Sequence, residues 1–354
     1  MVKHLLWAAV AACFLVLVAV IMPTNAGAAG FAGATVTISV DSPAFPADQP
    51  VLVHVTLTNP TNRPLKLLKW YTLADDLEGP LFAVKRDGQP VAYLGPLFKR
   101  PAPTDKDYLH LQPGESVTHD VDIALYYDCS LSGYYRIVFE AASPQLHDAK
   151  GAGRAPERLV SNELTVWVDG RAAELAPAEA PKKGGGGGTY SQCTTAQQAA
   201  IVAARDQAAG YAGNALNYLL GGNAGLRYTT WFGVYDGSRY GTATSHFTGI
   251  DSALATAPLS YDCSCKKPYY AYVYPNQPYR IYLCRVFWTA PTAGTDSKAG
   301  TLIHEISHFT VVAGTDDYVY GQTNAKALAI SDPDKAVNNA DNHEYFAENT
   351  PAQP

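Results

Sequence analysis

Hydrophobic and polar positions change their period along the chain, and the changes divide it. An apolar run from Leu5 to Met22 follows Lys3 and gives way to Pro23 and the small residues Asn25 to Ala29, with an Ala-x-Ala pattern at Ala26 to Ala28. That layout predicts a cleavable export signal over 1–28 and a secreted protein. The run is also close to bilayer-spanning length, so a membrane tether is the alternative if the segment is retained. From Ala34 to about Gly170 the period is two. Val36, Ile38 and Val40 alternate with polar neighbours, as do Val51, Val53, Val55 and Leu57, the pattern of strands with one buried face.

Turn signals at Asn59-Pro60, Asp87-Gly88, Gln112-Pro113-Gly114-Glu115 and Ser132-Gly133 cut this region into short strands, which predicts an antiparallel sandwich over 31–170. The turn from Gln112 to Glu115 and the strand after Gly133 resemble those of bacterial immunoglobulin-like modules. Residues 171–188 combine an Ala/Pro/Glu stretch, Lys182-Lys183 and five glycines from Gly184 to Gly188, a composition that predicts a linker open to proteolysis. Beyond it, over 189–354, the pattern is mixed. Thr195 to Leu220 predicts one or two helices, Tyr270 to Tyr274 and Tyr279 to Val286 predict strands, and Ala299 to Val312 predicts a helix ended by Gly314.

Composition narrows the function classes. Lys and Arg total 26 against 32 Asp and Glu, a net charge of -6, so nothing suggests a nucleic acid partner. Outside the signal there are five cysteines: Cys129, Cys193, Cys263, Cys265 and Cys284. In an exported chain they are expected to form disulfides. Cys263 and Cys265 are too close for a comfortable mutual bridge, so each is expected to take a distant partner, with Cys193 and Cys284 available. Cys129 is left over, either buried and reduced or paired between molecules.

The strongest chemical signal is His304-Glu305-Ile306-Ser307-His308. On a helix, positions i and i+4 share a face, so two imidazoles can converge on one zinc while the intervening glutamate stands beside the metal as a base. A third ligand is needed. A metzincin would place a histidine at position 314, which is glycine here. Glu344 or Glu348 could serve from a later helix, as in gluzincins. Nearer is Gly314-Thr315-Asp316-Asp317-Tyr318-Val319-Tyr320-Gly321, in which Gly314 can end the helix in a left-handed turn and Asp317 can reach back, with Asp316 as its rival.

This helix motif followed by Gly-Thr-x-Asp-x-x-Tyr-Gly resembles the aspzincin metallopeptidases, the deuterolysins and peptidyl-lysine metalloendopeptidases. The resemblance runs from about Thr189 to the C-terminus. It includes Tyr228 to Gly233, Tyr272 to Asn276, Asp332 to Val337 and Asn339 to Phe346, which look like the lysine-specific branch. It implies an α+β zincin-like domain with one zinc per chain on His304, His308 and Asp317, Glu305 as general base and Tyr320 as the oxyanion's hydroxyl partner. It also implies the pairings Cys193 with Cys263 and Cys265 with Cys284.

Asp341 and Glu344 lie three residues apart, on one face of a helix if one forms, and like charges so placed welcome a cation. These positions match the acidic pair that receives lysine in the lysine-specific enzymes. The resemblance therefore implies cleavage of Xaa-Lys bonds in protein or peptide substrates, and neutralising the pair is expected to raise KM far more than it weakens metal binding. His343, between them, is expected at the surface or in support of its neighbours. The alternatives are a broader deuterolysin-like protease and a non-catalytic, zinc-stabilised surface-binding protein. The β-rich first part has no constellation for chemistry and is expected to be a pro-domain that covers the cleft, or else a permanent accessory module.

Overall fold

The computed structural model describes residues 33–172 and 188–354; the predicted export signal and most of the predicted linker lie outside the described residues. The N-terminal part runs β1 (Thr35–Ser39), β2 (Ala44–Phe45), β3 (Leu52–Thr58), β4 (Leu65–Leu68), β5 (Phe82–Arg86), β6 (Gln89–Pro90), β7 (Leu97–Lys99), β8 (Tyr108–Leu111), β9 (Ser116–Asp122), β10 (Gly133–Ser143) and β11 (Glu157–Val168). Alternation does the sorting. Along β3, Val53, Val55 and Leu57 are buried, while on the other face Thr56 and Thr58 pair their hydroxyls with Thr118 and Ser116 of β9. The sheet β1-β3-β9 and the sheet β2-β11-β10-β5-β6 contribute to one core, which includes Val53 and Val55 of β3 and Ile137 and Phe139 of β10. A β4-β8 ribbon completes this part.

The C-terminal part runs β12 (Thr189–Ser191), α1 (Thr195–Leu220), α2 (Leu226–Phe232), α3 (Gly237–Thr256), β13 (Ser260–Asp262), β14 (Ala271–Val273), β15 (Arg280–Leu283), α4 (Arg285–Thr289), α5 (Lys298–His308), α6 (Gln322–Ser331), α7 (Pro333–Ala336) and α8 (Ala340–Glu348). Thr195 to Leu220 is one helix, started by a capping box in which Thr194 and Gln197 satisfy each other's backbone N–H. Ala204, Ala208 and Ala212, one turn apart and fully buried, let α3 and α5 approach closely. Helix α5 packs in turn on α8.

Helix α5 starts where expected, with the Ser297 side chain accepting from the Gly300 N–H, but it stops at His308 rather than Val312. The cause is tertiary. Phe309 turns to ψ 126°, and the Thr310 N–H donates to Pro275 O instead of continuing the helix. Gly314 then takes φ +61°, the left-handed turn anticipated for it.

The disulfides are Cys193–Cys263 and Cys265–Cys284, and Cys129 is buried without a disulfide. One strand departs from a self-contained N-terminal core. β7 forms the edge of the C-terminal sheet, whose order is β12-β13-β15-β14-β7. It runs antiparallel to β14 with Lys99 opposite Ala271, Phe98 opposite Tyr272 and Leu97 opposite Val273.

Candidate active site and metal centre

Every residue of α5 is buried, so His304, Glu305 and His308 stand inside the protein with no bulk water to satisfy them. The two imidazoles share a helix face, with ring centroids 4.8 Å apart and planes at 87°. Their Nε2 atoms lie 3.2 and 3.5 Å from one oxygen of Asp317. Neither Nε2 nor either Asp317 oxygen has a hydrogen-bond partner, and a ligand atom from each of the three residues falls within 4.8 Å of the others. Buried polar atoms without partners are costly, and two imidazoles with one carboxylate are a donor set that suits zinc. The residues present therefore fit the ion that the motif implies.

The surroundings orient these groups. His308 Nδ1 donates to Thr315 O at 2.7 Å, which fixes the tautomer that leaves Nε2 with a free lone pair. The Ser307 and Thr315 hydroxyls bond at 2.6 Å, tying the end of α5 to the loop that carries Asp317. Asn339 holds that loop from the other side, accepting from the Tyr318 and Val319 N–H groups. Burial alone would raise the Asp317 pKa, yet His308 and His304 hold the carboxyl well below the usual carboxylate range. Glu305 has the opposite balance. Both its oxygens lack partners, and burial pushes its pKa up to about 7.

Asp316 and Glu348 fall elsewhere, and Glu344 forms with Asp341 and His304 Nδ1 a neighbouring group that the Lys99 ammonium occupies. Asp316 accepts from the Tyr318 hydroxyl and pairs by its backbone with Asn339 and Ala340. Glu348 accepts from the Asp296 and Ser297 N–H groups just before the start of α5. Glu344 lies on the Nδ1 side of His304, at 3.6 Å, away from the Nε2 atoms that converge on Asp317.

Asp341 and Glu344 are buried on α8, not solvated, and a cation is already between them. Lys99 of β7, 1% exposed, places its ammonium 2.6 Å from Glu344 Oε2, 3.5 Å from Asp341 Oδ1 and 3.6 Å from Asp296 Oδ1. Burial would depress the lysine, but the carboxylates raise its pKa well above the ordinary value. Asp341 has a second task. Its Oδ1 lies 2.8 Å from His304 Nδ1 and its Oδ2 accepts from the Gly321 N–H at 2.6 Å. One carboxylate oxygen of Asp341 thus faces both His304 and the Lys99 ammonium.

Tyr320 is nearly buried, and its hydroxyl accepts from Arg100 Nη1 at 2.8 Å. Arg100 also donates to Glu78 O, so the residue after Lys99 is clamped between the two parts of the chain. His343 is fully buried, the supporting alternative of the two expected for it rather than the surface one. Its Nδ1 donates to Asn339 O, and its Nε2 accepts from His246 Nδ1 at 3.0 Å.

A family profile described as lysine-specific metallo-endopeptidase matches residues 221–348. The "Extracellular protease" of Aeromonas hydrophila is 48% identical over 309 residues, covering 86% of this chain and 89% of the relative. The chain belongs to the aspzincin metallopeptidases. A "Peptidyl-Lys metalloendopeptidase" of Grifola frondosa is 37% identical over 327 residues, covering 85% of this chain and 88% of that one. The solved structure of a zinc peptidase from Grifola frondosa is 53% identical, covers 46% of this chain and 100% of its own, and superposes with a TM-score of 0.45. As an aspzincin, the protein is a zinc-dependent peptidase that acts on protein or peptide substrates.

Reasoning from sequence did not find Lys99, Arg100, Thr315 or Asn339. Lys99-Arg100 is a basic pair inside a β-rich region, with no spacing that links it to α8. Only the expected lysine specificity, applied to the chain's own lysines, could have singled it out.

Proposed function

We propose that this aspzincin is exported in a latent form and matures into an endopeptidase that cuts on the amino side of lysine. The observation that carries this reading is the ammonium of Lys99 seated among Asp341, Glu344 and Asp296 beside the His304, His308 and Asp317 cluster. A buried acidic pocket already filled by a lysine has the charge, depth and position that recognition of a substrate lysine requires.

His304, His308 and Asp317 would hold one zinc per chain. Bound there, zinc would supply a Lewis acid for the peptide carbonyl and lower the pKa of water to about 7. Glu305, with its pKa pushed up to about 7, is suited to accept the proton of the attacking water and pass it to the departing amine. Tyr320 would donate its hydroxyl to the developing oxyanion once Arg100 no longer holds it.

The N-terminal part, read as an immunoglobulin-like sandwich over 31–170, would act as the pro-domain. Its strand β7 adds to the edge of the protease sheet and puts Lys99 where a substrate lysine would go. The predicted linker, with Lys182 and Lys183, is the expected place of release. Export itself rests on the Leu5 to Met22 segment and on the extracellular relative.

The test is a digest of a denatured protein by the secreted enzyme, with and without a chelator, followed by sequencing of the new N-termini. Termini that begin with lysine, and that vanish with the chelator, are the expected result. Mixed termini would leave a broader deuterolysin-like protease, and peptide release that ignores the chelator would end the metal-dependent reading. A mature secreted species of full length would make the N-terminal part an accessory module.

A further inference from the structure

We propose that the protease has a second specificity site, an aromatic box that receives the residue immediately before the lysine, so that Phe-Lys, Tyr-Lys and Trp-Lys bonds are its preferred targets. This rests on the proposed function, in which Lys99 stands where a substrate lysine stands. The residue before it is Phe98, and the chain therefore displays both positions filled.

Strand geometry separates the two side chains. Consecutive residues of β7 point to opposite faces, so Lys99 enters the acidic pocket while Phe98, directly opposite Tyr272 in the register, faces away from it. Phe98 is 4% exposed, and much of what covers it belongs to the C-terminal part. Its ring meets Tyr269 edge-on at 5.3 Å and Tyr272 at 4.9 Å with a 35° tilt. Cys265 and Cys284, joined as a disulfide, belong to the same cluster, and the Lys267 ammonium lies 5.1 Å from the ring centroid.

Glu78 of the N-terminal part pairs with Lys267 and accepts from the Tyr269 hydroxyl, contacts that would leave with β7, but the box also has bracing within the C-terminal part. Tyr272 stacks on Tyr282 at 4.4 Å with planes 4° apart, which braces it on the sheet. The Cys265–Cys284 bridge ties the loop that carries Lys267 and Tyr269 to the end of β15. The cavity of about 420 Å³ that adjoins it is walled by Lys267, Tyr272 and Tyr274 on the C-terminal side and by Glu78, Pro96 and Tyr126 among others on the N-terminal side, so departure of the N-terminal part would open the box rather than fill it. Two aromatic walls and an overhead ammonium select for a π-system: ring pairs favour tilted contacts at these distances, and a cation is drawn to a ring face. A lysine or arginine in this position would meet Lys267 as a like charge.

The experiment compares peptides that differ only in the residue before a single lysine, Phe, Leu, Ala or Lys, cut by the full chain after secretion and maturation. The expected kcat/KM for Phe-Lys exceeds that for Ala-Lys about tenfold, the scale of one or two aromatic contacts with burial. Tyr272→Leu should shrink that ratio to about threefold or less while the discrimination between lysine and arginine stays unchanged; Tyr269→Leu, tested separately, should act in the same direction if Tyr272→Leu fails to fold. Equal rates for Phe-Lys and Ala-Lys would overturn the aromatic box and leave Xaa-Lys cleavage intact. Cutting that does not depend on the lysine would instead overturn the proposed function, and the aromatic box with it.

Discussion

The ammonium of Lys99 and the carboxylate of Glu344 lie 2.6 Å apart with both side chains almost wholly removed from solvent. Removing one member of such a buried pair costs roughly 3–5 kcal/mol, because the other charge is left without compensation. Full-length Lys99→Met should therefore lose much of its latency. Before any processing, its hydrolysis of lysyl peptides should exceed that of the wild-type full-length chain by at least about tenfold. Equal latency in the two would show that other contacts of the N-terminal part keep the enzyme closed.

Glu305→Gln separates binding from turnover. It keeps the size of a side chain whose oxygens have no hydrogen-bond partner, so zinc content measured after purification should match wild type. Peptide hydrolysis should fall by roughly two to four orders of magnitude, the usual worth of a positioned proton acceptor. Retained activity would remove Glu305 from that role.

The two acids of the lysine pocket should not behave alike. Glu344→Gln should raise KM for lysyl peptides and leave zinc affinity close to wild type. Asp341→Asn should do both kinds of damage, since Asp341 also stands 2.8 Å from His304 Nδ1; a loss of about 10–100-fold in zinc affinity is the usual consequence of losing such a partner. Competition against a chelator of known affinity measures the difference, and identical zinc affinities in the two variants would refute it.

His343 predicts an acid limit on stability. Burial first, then the neighbouring His246, lowers its pKa to about 3, from an unfolded value near 6.5. Between those two values the unfolded chain binds a proton that the native state excludes. The stability linked to this group is therefore present above about pH 6.5 and is lost as pH falls toward 3, by up to about 1.4 kcal/mol per unit. Besides His246, the rings of Phe232 and Phe247 face the imidazole, and neither can compensate a charge there. Denaturant midpoints of wild type and His343→Gln, followed from pH 7 to 4, should converge in pH dependence only if this reading is wrong.

Much of the molecule was legible because its signals are local. The period-two stretch around Val53 and the apolar side of the stretch from Ala299 declare a strand and a helix from a few neighbouring residues. The spacing of His304 and His308 works the same way, since one helical turn sets both on one face, whereas the choice of Asp317 over Asp316 came from the family resemblance. What stayed hidden depends on distance in sequence. The end of α5 was misjudged because Pro275, far upstream, takes the Thr310 N–H. His343 stayed open between a surface and a supporting place because its neighbours His246, Phe232 and Phe247 lie far upstream, none of them marked by spacing. Lys99 was invisible because strand β7 crosses from one part of the fold to the edge of the other, and nothing in the alternation of Leu97, Phe98 and Lys99 says which sheet it will join.

That crossing has a consequence for what the mature enzyme can cut. With the N-terminal part released as proposed, β14 would be left as a border whose peptide groups await a new partner, and they would accept any main chain that lies straight beside them, whatever its side chains. A target must therefore offer several residues in a row that can be pulled taut. Compact proteins would be nicked only at hinges and frayed tails, whereas unfolded ones would be dismantled at lysine after lysine.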